Sequence, residues 1–285
     1  MIDMVPGFGQ RFPKLDDEDP YWRDELVIET CCTSLDEALA AEARGAGRIE
    51  LCVNLPVGGL TPPHELITEV VSHLTIPVNV LIRKATRGAL WFCSPKRLAS
   101  LDPSQAELGP LPLTVPRVAC FRGAEPPAPW PRVANADDFG FSAADFVYDE
   151  EDVRQMIADI EFCKAAGAAG VVVGALTPEG RIDEAATRHM VEAAAPMPVT
   201  YHRAFDVCTQ DPFEALEAII SLGCARLLTS GRAPKAPQGC GLIAALVKAA
   251  ADRIIVMPGS GVKPENLEHL AQVTRAGEFH GTSIP

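Results

Sequence analysis

From about Leu26 onward, short apolar runs alternate with amphipathic stretches. Eight runs, at 26–31, 48–52, 77–83, 170–175, 198–203, 224–229, 254–258 and 277–281, read as strands, most of them rich in Val and Ile. They lack strict two-residue alternation, the pattern of parallel strands covered on both faces. Seven stretches, at 34–44, 62–73, 150–166, 183–195, 212–222, 239–251 and 264–274, read as helices. Ser34 ahead of Asp36 and Glu37 is a start signal, and Asp211-Pro212 and Lys263-Pro264 place proline near the first helical position. Gly45, Gly167, Gly223 and Gly277 each lie just before a strand, where helix stops are expected. This order predicts a TIM (β/α)8 barrel rather than a doubly wound sheet.

Three departures from the rhythm shape the expected domain plan. Residues 1–25, with Pro6, Gly7, Pro13 and the run Asp16-Asp17-Glu18-Asp19, read as a disordered acidic tail ahead of a barrel domain at 26–285. Residues 88–144 hold nine prolines and no periodicity, and read as a largely disordered insertion after strand 3. The sequence reaches Pro285 directly after strand 8, so the final helix is missing. Apolar surface left bare there predicts reduced stability, or cover by a partner subunit in a homodimer.

Composition narrows the function classes. The 285 residues are 47% hydrophobic, enough for a substantial single core. A net charge of −13 without a basic block argues against nucleic acid or an anionic membrane as partner. Nine cysteines without framework spacing, and no export signal, point to free thiols in a reducing, cytoplasmic setting.

The strands lead into polar residues at their C-terminal ends, where a barrel of this kind presents its site. Thr200-Tyr201-His202-Arg203-Ala204-Phe205-Asp206 is the richest such end. Glu29, Glu50, Asn79, Arg83, His202 and Asp206 form a hydrogen-bonding group suited to proton transfer. Glu29 and Glu50 equally suit neutralising Arg83 and Arg203, and His202 equally suits a buried histidine satisfied by Asp206. Thr229-Ser230-Gly231 and Gly259-Ser260-Gly261 follow strands 6 and 7, where backbone N–H groups of this fold hold anions; tight-turn chemistry explains the same residues. Strand alternation puts Cys31 on the face of Glu29 and Cys52 on the face of Glu50, one layer nearer the mouth, with Cys32 turned outward. Two thiols so placed either hold a soft metal or fill space.

The ordered motifs resemble the CutC copper-homeostasis family. They are Glu29-Thr30-Cys31-Cys32-Thr33-Ser34, Gly45-Ala46-Gly47-Arg48-Ile49-Glu50-Leu51-Cys52, Gly58-Gly59-Leu60-Thr61-Pro62, Thr200 to Asp206, Leu228-Thr229-Ser230-Gly231 and Gly259-Ser260-Gly261-Val262. The family's Arg-Pro-Arg-Gly-Gly-Asp-Phe-x-Tyr run is here split between Arg83 and Asp145-Phe146-Val147-Tyr148. The resemblance implies a TIM barrel and copper, with Cu(I) held by Cys31 and Cys52 and His202 as a further ligand. The alternative is an enzyme acting on a small anionic or phosphorylated metabolite. In it Glu29, Glu50, His202 and Asp206 move protons. Asn79, Arg83, Arg203, Thr229, Ser230, Gly259, Ser260 and Gly261 bind the anion. Schiff-base chemistry is disfavoured because the only lysine near a strand end is Lys84. Dinucleotide chemistry is disfavoured because no glycine-rich fingerprint follows a strand.

Overall fold

The computed structural model describes residues 26–85 and 139–282. The N-terminal tail and most of the Pro-rich insertion lie outside these residues. Residues 139–144, read from sequence as the end of the insertion, belong to the folded unit. Ser142 opens a 3-10 turn at Ala143–Phe146, with its backbone N–H donating to Asp145.

Eight parallel strands form the barrel: β1 Val27–Cys32, β2 Arg48–Leu51, β3 Val78–Leu81, β4 Gly170–Val173, β5 Val199–Tyr201, β6 Arg226–Thr229, β7 Ile255–Pro258 and β8 Glu278–Gly281. They lie in the order β7-β6-β5-β4-β3-β2-β1-β8, and a parallel bridge from Gly259 to His280 joins β7 to β8. Between them run α1 Leu35–Ala43, α2 His64–His73, α3 Glu150–Ala166, α4 Glu184–Ala194, α5 Pro212–Ser221, α6 Ala236–Ala250 and α7 Pro264–Thr274. All eight expected strands and seven expected helices are present. A one-turn helix at Ala204–Val207 and a 3-10 turn at Leu55–Val57 are too short to leave a periodic signal.

Local chemistry explains most boundaries. Ser34 Oγ accepts from the Glu37 N–H at 3.2 Å, while Glu37 accepts from Thr33, so α1 starts on a reciprocal cap. Asp211 caps α5 with Pro212 in its first turn. α6 begins three residues earlier than expected because Pro237 lies in its first turn and Gln238 Oε1 accepts from the Lys235 N–H. After α7 it is Arg275, at φ 60°, that takes the left-handed position expected of Gly277, whose carbonyl instead accepts from Val27 at the start of the β1–β8 pair.

Two layers divide the buried side chains. Outward residues such as Ile49, Leu51, Val80, Val171, Val173, Tyr201, Leu227 and Phe279 pack under the helices with Ile67, Met156, Ile160, Leu216 and Leu246. Each such side chain contributes roughly 1.5–3 kcal/mol by leaving water. The barrel interior is polar instead. Arg48 is buried between Glu29 (Nε–Oε2 2.5 Å) and Glu278 (Nη2–Oε2 2.7 Å), and Arg226 reaches Glu278 at 2.7 Å. These four charges persist there because each finds an opposite partner. Among the described residues, no helix is long and apolar enough to cross a membrane.

Candidate metal and ligand site at the barrel mouth

The thiols sit where strand parity places them, with one difference of level. The stagger of the barrel pairs Cys31 with Glu50, and Cys52 follows just beyond β2. Cys31 is therefore level with Glu50, one layer below Cys52, and not level with Cys52 as alternation alone suggests. The side chains close that step, and the two sulfurs face each other at 3.4 Å. With Leu81 and Val172 they form a small apolar cluster inside the barrel, separate from the main core. Cys32 points outward into that main core, as expected. The hydrogen bond to Cys52, then burial, then the nearby Glu50 carboxylate push the Cys31 thiol well above its usual range. Among the described residues, none of the seven cysteines is in a disulfide.

Level with Cys31 and below it lies a carboxylate–imidazole group whose histidine is not among the residues expected from sequence. His280 on β8 donates from Nδ1 to Glu29 Oε1 at 2.9 Å and lies 3.3 Å from Glu50 Oε2. Glu29 Oε2 also accepts from Asn79 Nδ2 at 3.0 Å. Burial works to raise the Glu29 carboxyl, but the bond from His280 and the charge of Arg48 outweigh it and hold it at about 2. Glu50 Oε2 has no hydrogen bond of this kind, and burial outweighs the His280 and Arg48 charges and pushes the carboxyl up to about 7. Burial opposes protonation of His280, yet the Glu50 and Glu29 carboxylates raise its pKa overall. The signal for His280 was in the sequence: Glu278 and His280 repeat on β8 the two-residue spacing of Glu29-Cys31 and Glu50-Cys52.

A cavity of about 460 Å³ opens above this group, walled by Cys31, Cys52, Glu50, Arg83, Phe146, His202 and His280, with Arg203, Lys235, Ser260, Gly261 and Lys263 around it. The split motif is reassembled here. The Arg83 guanidinium lies 4.9 Å over the Phe146 ring and donates to the carbonyls of Val57 (2.7 Å) and Gly59 (2.8 Å). Phe141 lines the same wall and lies 5.1 Å beneath Arg203.

Other expected residues take different roles. Arg83 and Arg203 do not neutralise Glu29 and Glu50; Arg48 does so for Glu29, and Arg203 pairs with Asp206 at 2.8 Å. Asp206 does not satisfy His202. It is fully buried and accepts from Thr229 Oγ1 and from the Ser230 and Arg232 N–H groups, tying β5 to the loop after β6. Thr229, Ser230 and Gly259 stand behind the cavity wall rather than in it, while Ser260 and Gly261 line it.

His202 accepts from the Ala204 N–H through Nδ1 at 3.2 Å, and its Nε2 is buried without a partner. Its ring is seated against Gly174, where a Cβ would stand 2.3 Å from Nδ1. Burial, helped by the Arg83 and Arg203 charges, lowers it to about 3. The folded state thus resists a proton that the unfolded chain accepts near 6.5, so stability is retained above that pH and lost as pH falls towards 3. Acidification from pH 7 to 5 is expected to cost about 2 kcal/mol at this residue. Urea unfolding of wild type and His202→Gln at both pH values checks it; parallel losses in the two proteins would sink the assignment.

The chain's relatives agree with the fold and its motifs. The CutC family model matches residues 26–99 and 142–285, leaving out 100–141 within the Pro-rich stretch. A CutC family protein of Parabacteroides distasonis is 39% identical over 255 residues, covering 89% of this chain and 81% of its own. One from Chromobacterium violaceum is 34% identical, covering 91% and 81%. A solved structure from Streptococcus agalactiae, named for CutC and copper homeostasis, superposes with a TM-score of 0.67 at 26% identity, covering 91% of this chain and 100% of its own. The aldolase QR15 matches with a TM-score of 0.54 at 11% identity, a likeness of fold alone. With its eight-stranded barrel and its motifs in family order, this chain belongs to the CutC family.

Proposed function

We propose that this protein serves copper homeostasis by holding Cu(I) between Cys31 and Cys52 at the barrel mouth. The observation that carries the reading is the 3.4 Å approach of two buried thiols inside a small apolar cluster. Thiolates are soft donors that suit Cu(I), and an apolar surround suits a low-charge ion. Two sulfurs on one Cu(I) ion stand further apart than the present 3.4 Å, so rotation of one or both side chains would open the pair to admit the ion. The name of the Streptococcus agalactiae relative supports copper as the cargo. The lack of disulfides among the described cysteines fits a reducing compartment such as the cytosol.

Titration of the reduced protein with Cu(I) against a competing chelator tests this. Wild type is expected to bind one equivalent tightly. The Cys31→Ser/Cys52→Ser variant is expected to bind at least about 100-fold more weakly, with Cys240→Ser unchanged. Equal affinity in wild type and double variant would remove the thiol pair as the site.

A second reading, an enzyme or receptor for a small anion, is favoured by the size and charge of the cavity. About 460 Å³ walled by Arg83, Lys235 and Lys263 is far more room than a metal ion occupies. Inorganic phosphate binding by calorimetry, weakened about 10-fold or more in Lys235→Ala/Lys263→Ala, is its expected signature. Heats no larger than dilution would dismiss it.

A further inference from the structure

Beside the thiol pair, the barrel mouth carries a second and harder donor set. Cys31, Glu50 and His280 each bring one ligand atom, and these atoms lie within 4.8 Å of one another. We propose that they form a site for a borderline divalent cation of the Zn2+ class, with an open coordination position facing the cavity. The proposal shares Cys31 with the Cu(I) reading but does not rest on it.

Three features of the molecule argue for a cation here. Glu50 is buried, and its Oε2 has no hydrogen-bond partner. Although His280 Nδ1 stands 3.3 Å away, its N–H is committed to Glu29. The imidazole offsets that burial only in part, and a buried carboxylate oxygen without a hydrogen bond is further stabilised where a cation meets it. The second feature is the tautomer of His280. Donation from Nδ1 to Glu29 leaves Nε2 as the ring nitrogen that can take a cation in exchange for its proton, and His280 lines the cavity. Metal-binding imidazoles characteristically give their other N–H to a carboxylate in this way, and Glu29 is in turn fixed by Arg48 and Asn79. The third is the mixed sulfur, nitrogen and oxygen chemistry of the donors. It suits Zn2+ better than Cu(I), and three protein ligands with a fourth position open is the arrangement of catalytic rather than structural zinc. Bonds of about 2.0–2.3 Å require ligand separations of about 3.3–3.8 Å, within reach of side-chain rotation from the present spacing.

Cys52 belongs to the thiol pair and not to this set. Because Cys31 is common to both, Cu(I) and the divalent ion are expected to exclude one another.

Co2+ is the probe, added to reduced, metal-free protein and followed by its ligand-field and thiolate-to-cobalt charge-transfer absorption, with Zn2+ as displacing ion. Wild type is expected to bind one Co2+ with a charge-transfer band. Cys31→Ser should abolish that band, and His280→Gln, which can still donate to Glu29, should weaken binding at least about 10-fold. Cys52→Ala should keep Co2+ affinity within about threefold while losing tight Cu(I) binding. Circular dichroism before each titration establishes that every variant is folded, and Glu50→Gln serves as an independent second probe of the set. Absence of Co2+ binding, a spectrum without sulfur charge transfer, or affinity unmoved by both His280→Gln and Glu50→Gln would overturn the proposal. Equal loss in Cys52→Ala would overturn it too, by reducing the site to the thiol pair. Failure of Cu(I) binding alone would leave it standing.

Discussion

Asp206→Ala is expected to destabilise the protein by about 4 kcal/mol or more, a large share of the roughly 5–15 kcal/mol that holds a domain folded. The carboxylate has no exposure to solvent. Its Oδ1 accepts from Thr229 Oγ1 at 2.5 Å and from the Ser230 and Arg232 N–H groups at 3.1 Å, while Oδ2 accepts from Arg203 Nε at 2.8 Å. Truncation orphans the Thr229, Ser230 and Arg232 donors in a place water does not reach, each at a cost on the order of 1–3 kcal/mol before relaxation, and strips the partly exposed Arg203 of its carboxylate. Asp206→Asn keeps an acceptor oxygen and loses the charge opposite Arg203, so about half the effect is expected. Urea unfolding at pH 7 measures both. Losses below about 1 kcal/mol in the alanine variant would show that the β5–β6 clamp is dispensable. The thiols lie on β1 and beside β2, across the barrel from this clamp, so Asp206→Asn is expected to keep Cu(I) affinity unchanged.

The second large effect concerns the ionic interior. Glu29→Gln is expected to cost about 3 kcal/mol, because it leaves the buried Arg48 with Glu278 as its remaining anion. Glu29→Leu combined with Arg48→Met should be less damaging than the two single changes summed, since removing both charges leaves neither one stranded. A double-mutant cycle in urea reads this coupling directly. Strict additivity would mean that the 2.5 Å pair contributes nothing beyond its separate parts. The same substitution tests how His280 is held, since Glu29 accepts its Nδ1–H.

Much of this was written locally. The Val- and Ile-rich runs with no alternation, the proline and Ser34 start signals and the glycine stops were sufficient for eight strands, seven helices and a barrel. They succeed because backbone geometry and burial on two faces are imposed residue by residue. Strand parity likewise put Cys31 with Glu29 and Cys52 with Glu50, and turned Cys32 away. What parity cannot supply is the stagger between strands, which depends on how the whole sheet closes. That closure made Cys31 level with Glu50 and brought its sulfur to Cys52.

Closure also chose partners that no local pattern names. Glu29 meets His280 across 251 positions of sequence because β8 returns to pair with β1. Arg48, within a motif read for its glutamate and cysteine, became the counterion in place of Arg83 or Arg203. Asp206, four residues from His202 in sequence, binds the β6 loop instead, because the one-turn helix at Ala204–Val207 carries it there. The sequence by itself determined the elements, their order and the face each side chain takes, since these follow from periodicity and capping along a single segment. Only the tertiary structure decided which thiol, carboxylate and imidazole share one space, because contact between strands far apart in sequence exists only once the barrel is closed.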